Sequence, residues 1–241
     1  MQKKEFIDII AKYQLKGNCN AVKWTVLDKN LTVNFMTEEG SMLGTLEANV
    51  DMEDAEIGIK DTTKLINLMG ALESDFSIKL HYEGKVLSGI RLKDEFIDMT
   101  FVLSDLSNIP VPRSLKSVPE FDLEIDLDKD FISRFVKARK ALKDPTDVGT
   151  KLVAISTTDQ EVDFIINYSD LNENRITLTS PAKVHNQINF MAFNVDLVSS
   201  VFSVNSDYRV GTLKVSDKGL AMFEFIGEDY TCKYYLKNLS V

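Results

Sequence analysis

The chain has 241 residues, 44% of them hydrophobic and 27% charged, with 11 Gly and 5 Pro. That composition belongs to an ordered globular protein of one large or two ordinary domains, and it excludes a disordered or fibrous chain. The formal charge is −9, from 37 acidic against 28 basic residues, so any strongly positive surface has to be local.

The chain opens with MQKKE, and the amphipathic spacing of residues 2–13 (QKKEFIDIIAKY) predicts a helix rather than a signal-peptide core. No apolar run approaches the ~20 residues that span a bilayer, so a cytoplasmic location is expected, in a host cell if the source is viral. A second helix is predicted over 61–72, with Asp61 as N-cap. Period-two alternation then marks strands at 76–82, 86–93 and 97–103, the first two joined by the turn Glu83-Gly84-Lys85. Residues 103–123 hold three of the five prolines and read as an extended linker. The expected domains are 1–107 and 120–241, with 108–119 as the connector.

Beyond the connector a third helix is predicted over 128–142, capped by Asp128, and a fourth over 194–204, capped by Asn194. Strands are predicted at 161–168, 175–180, 209–215 and 220–225, with a turn at Asp217-Lys218-Gly219. The fold class is α+β, with antiparallel meanders dominating. Helix, strands, helix, strands occurs twice. KKEFIDIIAKY (3–13) aligns with DKDFISRFVKA (128–138), matching Lys4 with Lys129, Phe6 with Phe131 and Lys12 with Lys137.

Charge follows the repeat. Residues 128–143 hold six basic and two acidic side chains, and residues 1–16 hold four and two, on an otherwise acidic chain. At 100° per residue Phe131, Phe135, Ala138 and Leu142 form one face of the third helix, and Lys129, Lys137, Lys140 and Lys143 lie on the other. The phenylalanines are needed against a sheet, which leaves no broad apolar face for lipid. Arg134 and Arg139 flank the lysine face and either contact phosphate or pair with neighbouring carboxylates. An ordinary solvated helix face is the plainer reading of one such stretch; its duplication points to a sequence-independent nucleic-acid surface.

Little else suggests chemistry. Cys19 and Cys232 form no CxxC pair and sit among small or apolar neighbours, while His81 and His185 lie in a strand and a turn. The acidic runs MEDAE (52–56) and FDLEIDLDKD (121–130) lack His, Lys or Ser partners at useful spacing, and no GxxxxGK[ST] loop is present. A non-enzymatic protein is expected, with no cofactor and no metal site.

Three stretches carry a family resemblance: GLAMFEFIGEDYTCKYYLKNL (219–239), the proline-bearing connector before FDLEIDLDKDF, and AEIGIKDTTKLINLMGALESD (55–75). Together they resemble the DNA sliding clamps, most closely the tailed-bacteriophage DNA polymerase processivity factor and more distantly proliferating cell nuclear antigen. The resemblance implies two similar domains, each with two helices packed on curved antiparallel sheet, closing head to tail into a six-domain ring as a homotrimer. It implies a clamp that encircles duplex DNA and tethers the replicative DNA polymerase, opened by a separate ATP-dependent clamp loader. On this reading Lys4, Lys12, Lys16, Lys64, Lys129, Lys137, Lys140 and Lys143 face DNA, with Arg134 and Arg139 as further candidates. The exposed side of the fourth helix, with Asp196, Ser199 and Ser203, leaves part of the lining neutral or acidic. A partner-peptide pocket would be formed by Leu115, Val118, Pro119, Tyr235 and Leu236, although Leu236 fits a core position equally well. The alternative is a duplicated β-rich structural or adaptor protein of a virus that binds an acidic partner through its basic helices.

Overall fold

The computed structural model describes residues 2–143, 151–169 and 173–239. The chain divides into two compact units: Met1–Ser114 with Asp229–Cys232, and Leu115–Glu228 with Lys233–Val241. The division falls inside the expected connector, and a short late segment joins the first unit.

The first unit runs α1 (Lys3–Gln14), β1 (Val22–Leu27), β2 (Asn30–Met36), β3 (Met42–Asn49), β4 (Ala55–Ile59), α2 (Thr62–Ala71), β5 (Ser77–Glu83), β6 (Val86–Lys93) and β7 (Asp98–Val102). Two antiparallel sheets result, ordered β4-β1-β2-β3 and β5-β6-β7. The β1–β2 hairpin closes through Asp28 and Lys29, at φ 49° and 61°. Both are left-handed, as a twist-matched two-residue turn requires. Phe6, Ile10 and Tyr13, spaced three and four apart on α1, are buried with Trp24, Phe35, Leu65 and Met69. The Phe6 ring meets Trp24 edge-on at 5.8 Å, and the Trp24 indole N–H donates to the Tyr13 hydroxyl at 3.0 Å. Burial pushes the Tyr13 hydroxyl pKa well above its ordinary value.

The second unit runs β8 (Leu123–Asp126), α3 (Lys129–Leu142), β9 (Leu152–Thr157), β10 (Glu161–Tyr168), β11 (Ile176–Pro181), β12 (Lys183–Val184), β13 (Met191–Asn194), α4 (Val195–Val204), β14 (Val210–Ser216), β15 (Leu220–Ile226) and β16 (Tyr230–Lys237), whose first three residues belong to the first unit. Its sheets are ordered β13-β9-β10-β11 and β12-β8-β14-β15-β16. Phe131 and Phe135 of α3 each lie 5.0 Å from another ring, Phe164 and Phe202 respectively, forming an aromatic core. At the β14–β15 turn Gly219 has φ +89°, a conformation that favours glycine, and a Cβ there would also displace the Asn238 side chain, whose Oδ1 would lie 2.4 Å from it.

The two units repeat one plan. β4-β1-β2-β3 corresponds strand for strand to β13-β9-β10-β11, and α2 followed by β5, β6, β7 corresponds to α4 followed by β14, β15, β16. The second unit adds β8 at its start and the two-residue β12. Asp61, Asp128 and Asn194 cap their helices as the sequence suggests, their side chains accepting from first-turn amides. The expected strands leave out 22–59, where β1–β4 form, and β8, β9, β12 and β13 of the second unit.

Candidate nucleic-acid interface

On α3 the apolar stripe Phe131, Phe135 and Ala138 is buried, and Lys129, Arg134, Lys137, Lys140 and Lys143 are exposed. Asp128 starts this helix by accepting from the Phe131 amide at 2.6 Å, which fixes where the stripe begins and therefore where the cations point. Among the described residues no ion pair engages Arg134, Lys137, Lys140 or Lys143, so their charge is available to an outside anion. The Lys129 ammonium instead sits 5.8 Å from the centre of the Tyr208 ring.

Arg139 does not belong to that exposed set. It is buried, and its Nε and Nη2 donate to the two carboxylate oxygens of Asp196 at 2.8 and 3.0 Å. Of the two roles open to Arg139 in the sequence, pairing with a carboxylate is the one realised, because the side chain points at α4 rather than at solvent. Its Nη1 is buried without a hydrogen-bond partner among the described residues. Asp196 is thus the partner of Arg139, and Ser199 and Ser203 beside it are half-buried.

In the first unit Lys4, Lys16 and Lys64 are exposed. Lys12, expected to face DNA, is fully buried, its ammonium 4.0 Å from the centre of the Tyr230 ring. Lys12 holds the position that exposed Lys137 holds in the repeat, but here Asp229–Cys232 folds into the first unit and Tyr230 covers the position. Lys16 stands in a left-handed turn, with Leu15, Lys16 and Gly17 at φ 51°, 58° and 99°. Hydrogen bonds fix that turn to α2: Gln14 Nε2 donates to Thr63 Oγ1 at 2.9 Å, and Thr63 Oγ1 donates to Asn20 Oδ1 at 2.6 Å. Two further basic residues, not singled out as DNA-facing from the sequence, stand at the ends of α2. Lys60 is exposed one residue before the cap Asp61. The Lys3 ammonium donates to Gly70 O at 2.9 Å and to Leu72 O, neutralising carbonyls at the C-terminal end of α2.

The expected peptide-pocket residues all lie in the second unit. Leu115 and Val118 are exposed and Pro119 is half-buried, whereas Leu236 is fully buried. Along β16 Tyr230, Cys232, Tyr234 and Leu236 alternate inward, and Thr231, Lys233 and Tyr235 face the other way. Leu236 is therefore core, on the opposite face of the strand from Tyr235. The connector is held at its second end by Asp122, whose carboxylate accepts from the Asp217 amide at 2.8 Å and from Asn186 Nδ2 at 2.7 Å.

Both cysteines are buried, and both histidines are exposed. Among the described residues no group of three or more His, Cys, Asp or Glu is placed to hold a metal ion. No described helix is long and apolar enough to cross a membrane.

Neither a protein-family model nor a curated protein matches the chain. Solved structures do. The crystal structure of Proliferating Cellular Nuclear Antigen from Entamoeba histolytica is similar over 100% of this chain and 97% of its own, with a TM-score of 0.75 at 18% identity. A. fulgidus PCNA, in a structure with the C-terminal region of FEN-1 bound to it, is similar over 100% and 97%, with a TM-score of 0.74 at 14% identity. What is shared at such identities is the fold: the chain has the α+β fold of the PCNA structures from end to end.

Proposed function

We propose that this protein is a sliding clamp of the polymerase-processivity type, a non-enzymatic ring of three copies that encircles duplex DNA. The observation that carries the reading is the exposed basic face of α3, Arg134, Lys137, Lys140 and Lys143, with no ion pair among the described residues, on a chain of net charge −9 whose whole length follows the PCNA fold. Flexible lysine point charges suit phosphate contacts that neither read bases nor hold one register. The acidic remainder repels DNA, so attraction is restricted to the helices.

The strand edges support a head-to-tail ring. In the first unit the outer side of β3 is met by the late segment, with the Asn49 amide donating to Asp229 O at 2.9 Å. The counterpart of β3 in the repeat is β11, an end strand of its sheet, and the counterpart of β16 is β7, an end strand of another. β7 and β11 are thus two different end strands of one chain, and open edges invite another strand. Pairing β7 of one copy with β11 of the next is a heterologous contact that closes when its rotation allows.

Closure around DNA makes retention topological: the ring cannot leave sideways, and weak phosphate contacts let it slide. The phage form is supported by the residue patterns at 55–75 and 219–239. The partners proposed are duplex DNA, a DNA polymerase, an ATP-dependent loader and further copies of the chain. A. fulgidus PCNA takes the C-terminal region of FEN-1; here the exposed connector residues Leu115 and Val118, with Pro119 and Tyr235, are proposed to receive partner peptides. Sedimentation tests the ring. A mass near three times the 27.2 kDa of one chain is expected, falling to one chain when Thr100 and Val102 on the exposed face of β7 are both replaced by Lys. A single-chain mass for the unaltered protein at micromolar concentration would contradict the reading.

A further inference from the structure

Each helix pair is electrostatically polarised along its length, in the same sense in both units. In the first unit the hydrogen bonds Gln14–Thr63 and Lys3–Gly70 set the C-terminal end of α1 beside the N-terminal end of α2 and the reverse at the far end, so the helices run antiparallel. The first of these ends holds exposed Lys16, Lys60 and Lys64; of the carboxylates near it, Asp61 is engaged as a cap through the Lys64 amide at 2.8 Å, and Glu38 lies within electrostatic reach of Cys19. At the other end a groove of about 390 Å³ gathers Lys3 and Lys4 with Asp8, Glu73 and Asp75, and Glu5 is exposed on the same turn of helix.

The second unit repeats the pattern with different residues. Where α3 ends and α4 begins stand exposed Lys137, Lys140 and Lys143, with Asp196 already paired to Arg139. Where α3 begins and α4 ends, Lys129 is flanked in the chain by exposed Asp128 and Asp130 and its ammonium lies 5.8 Å from the Tyr208 ring, next in the chain to exposed Asp207. Aligning the helices places the Gln14–Thr63 bond of one unit at the Arg139–Asp196 pair of the other, so one inter-helix tie marks the basic end in both.

We infer that duplex phosphates are held only at the basic end of each helix pair, by Lys16, Lys60 and Lys64 in the first unit and by Lys137 and Lys140 in the second. Lys4 and Lys129 lie at the acidic ends and do not contribute. The occupant is fixed by charge: several exposed ammonium groups on one edge of a helix layer match a row of phosphates, and the carboxylates at the opposite end exclude them. This rests on the clamp reading, and it implies that the duplex is drawn towards one edge of each helix layer instead of its centre.

Two double variants, each removing two exposed charges, separate the ends: K137Q/K140Q and K4Q/K129Q. Binding of the full-length protein to a DNA duplex is measured by fluorescence anisotropy across a salt series. The basic-end variant is expected to lose about tenfold in affinity at low salt and to flatten the plot of log K against log salt, each lost phosphate contact removing about 0.9 from the slope. The acidic-end variant keeps the slope and affinity of the unaltered protein. Equal losses in the two variants, with unaltered affinity for the parent chain, would overturn the inference alone. A parent chain with no salt-dependent affinity for duplex would overturn the clamp reading as well.

Discussion

Arg139, in the last turn of α3, donates both Nε and Nη2 to Asp196 in the first turn of α4, at 2.8 and 3.0 Å, and the equivalent tie in the first unit is the neutral pair Gln14 and Thr63. The repeat keeps the connection and changes its chemistry. An ion pair holds the helix that displays the most exposed cations.

Removing one partner of that pair strands the other. The Arg139 side chain is 5% exposed, against 50% for Asp196, so the guanidinium suffers more from losing its counter-charge. Asp196→Ala is expected to cost about 2–4 kcal/mol in urea unfolding. Arg139→Met is expected to cost less, because a buried apolar side chain replaces a buried cation. The double variant should fall well short of the sum, the signature of direct coupling.

Lys12 and Lys137 occupy matched positions and should respond oppositely to the same change. Lys12→Glu sets a carboxylate against the face of the Tyr230 ring at a fully buried site, and a loss of about 3 kcal/mol or more is expected. Lys137→Glu changes an exposed residue, and its stability should stay within about 0.5 kcal/mol of the parent. Chemical denaturation of the two single variants checks both values.

The contrast between these lysines also marks how far the sequence could be read. Helix faces and caps are local, so Phe131, Phe135 and the caps Asp61, Asp128 and Asn194 were legible from spacing alone. The burial of Lys12 was not, because its cover comes from Tyr230, more than two hundred positions away. Arg139 sits on the flank of the lysine arc, and only the distant Asp196 decides which way it turns. Strands β1–β4 went unassigned although β1 alternates buried and accessible positions, since two-residue turns of non-glycine residues such as Asp28-Lys29 give a weak turn signal.

Acid should loosen the connector's anchor. The Asp217 amide, then the Asn186 side chain, hold the Asp122 carboxyl below the usual carboxylate range. A depressed folded-state pKa contributes stability that is present above the unfolded value, about pH 4, and is lost as pH falls through the folded value. The unfolding midpoint of the parent should therefore drop below about pH 4. Asp122→Asn, which cannot titrate, should be less stable at neutral pH and show a shallower acid decline, measured by thermal melts from pH 2 to pH 7.

Partner peptides should separate surface from core in the second unit. Leu115→Ala and Val118→Ala alter exposed connector residues, and each is expected to weaken binding of a polymerase-derived peptide about threefold or more without changing the melting temperature. Leu236→Ala empties a fully buried position and should instead cost about 2–5 kcal/mol of stability. Isothermal titration beside a thermal melt distinguishes the two effects.

Encirclement is the central claim, and retention on DNA of defined topology tests it most directly. Protein placed on nicked circular DNA by a clamp loader, then passed through a sizing column at a salt concentration that suppresses phosphate contacts, should elute with the circle. Cutting the circle once should release it, because a ring held by topology slides off an end. Equal retention before and after the cut would contradict encirclement.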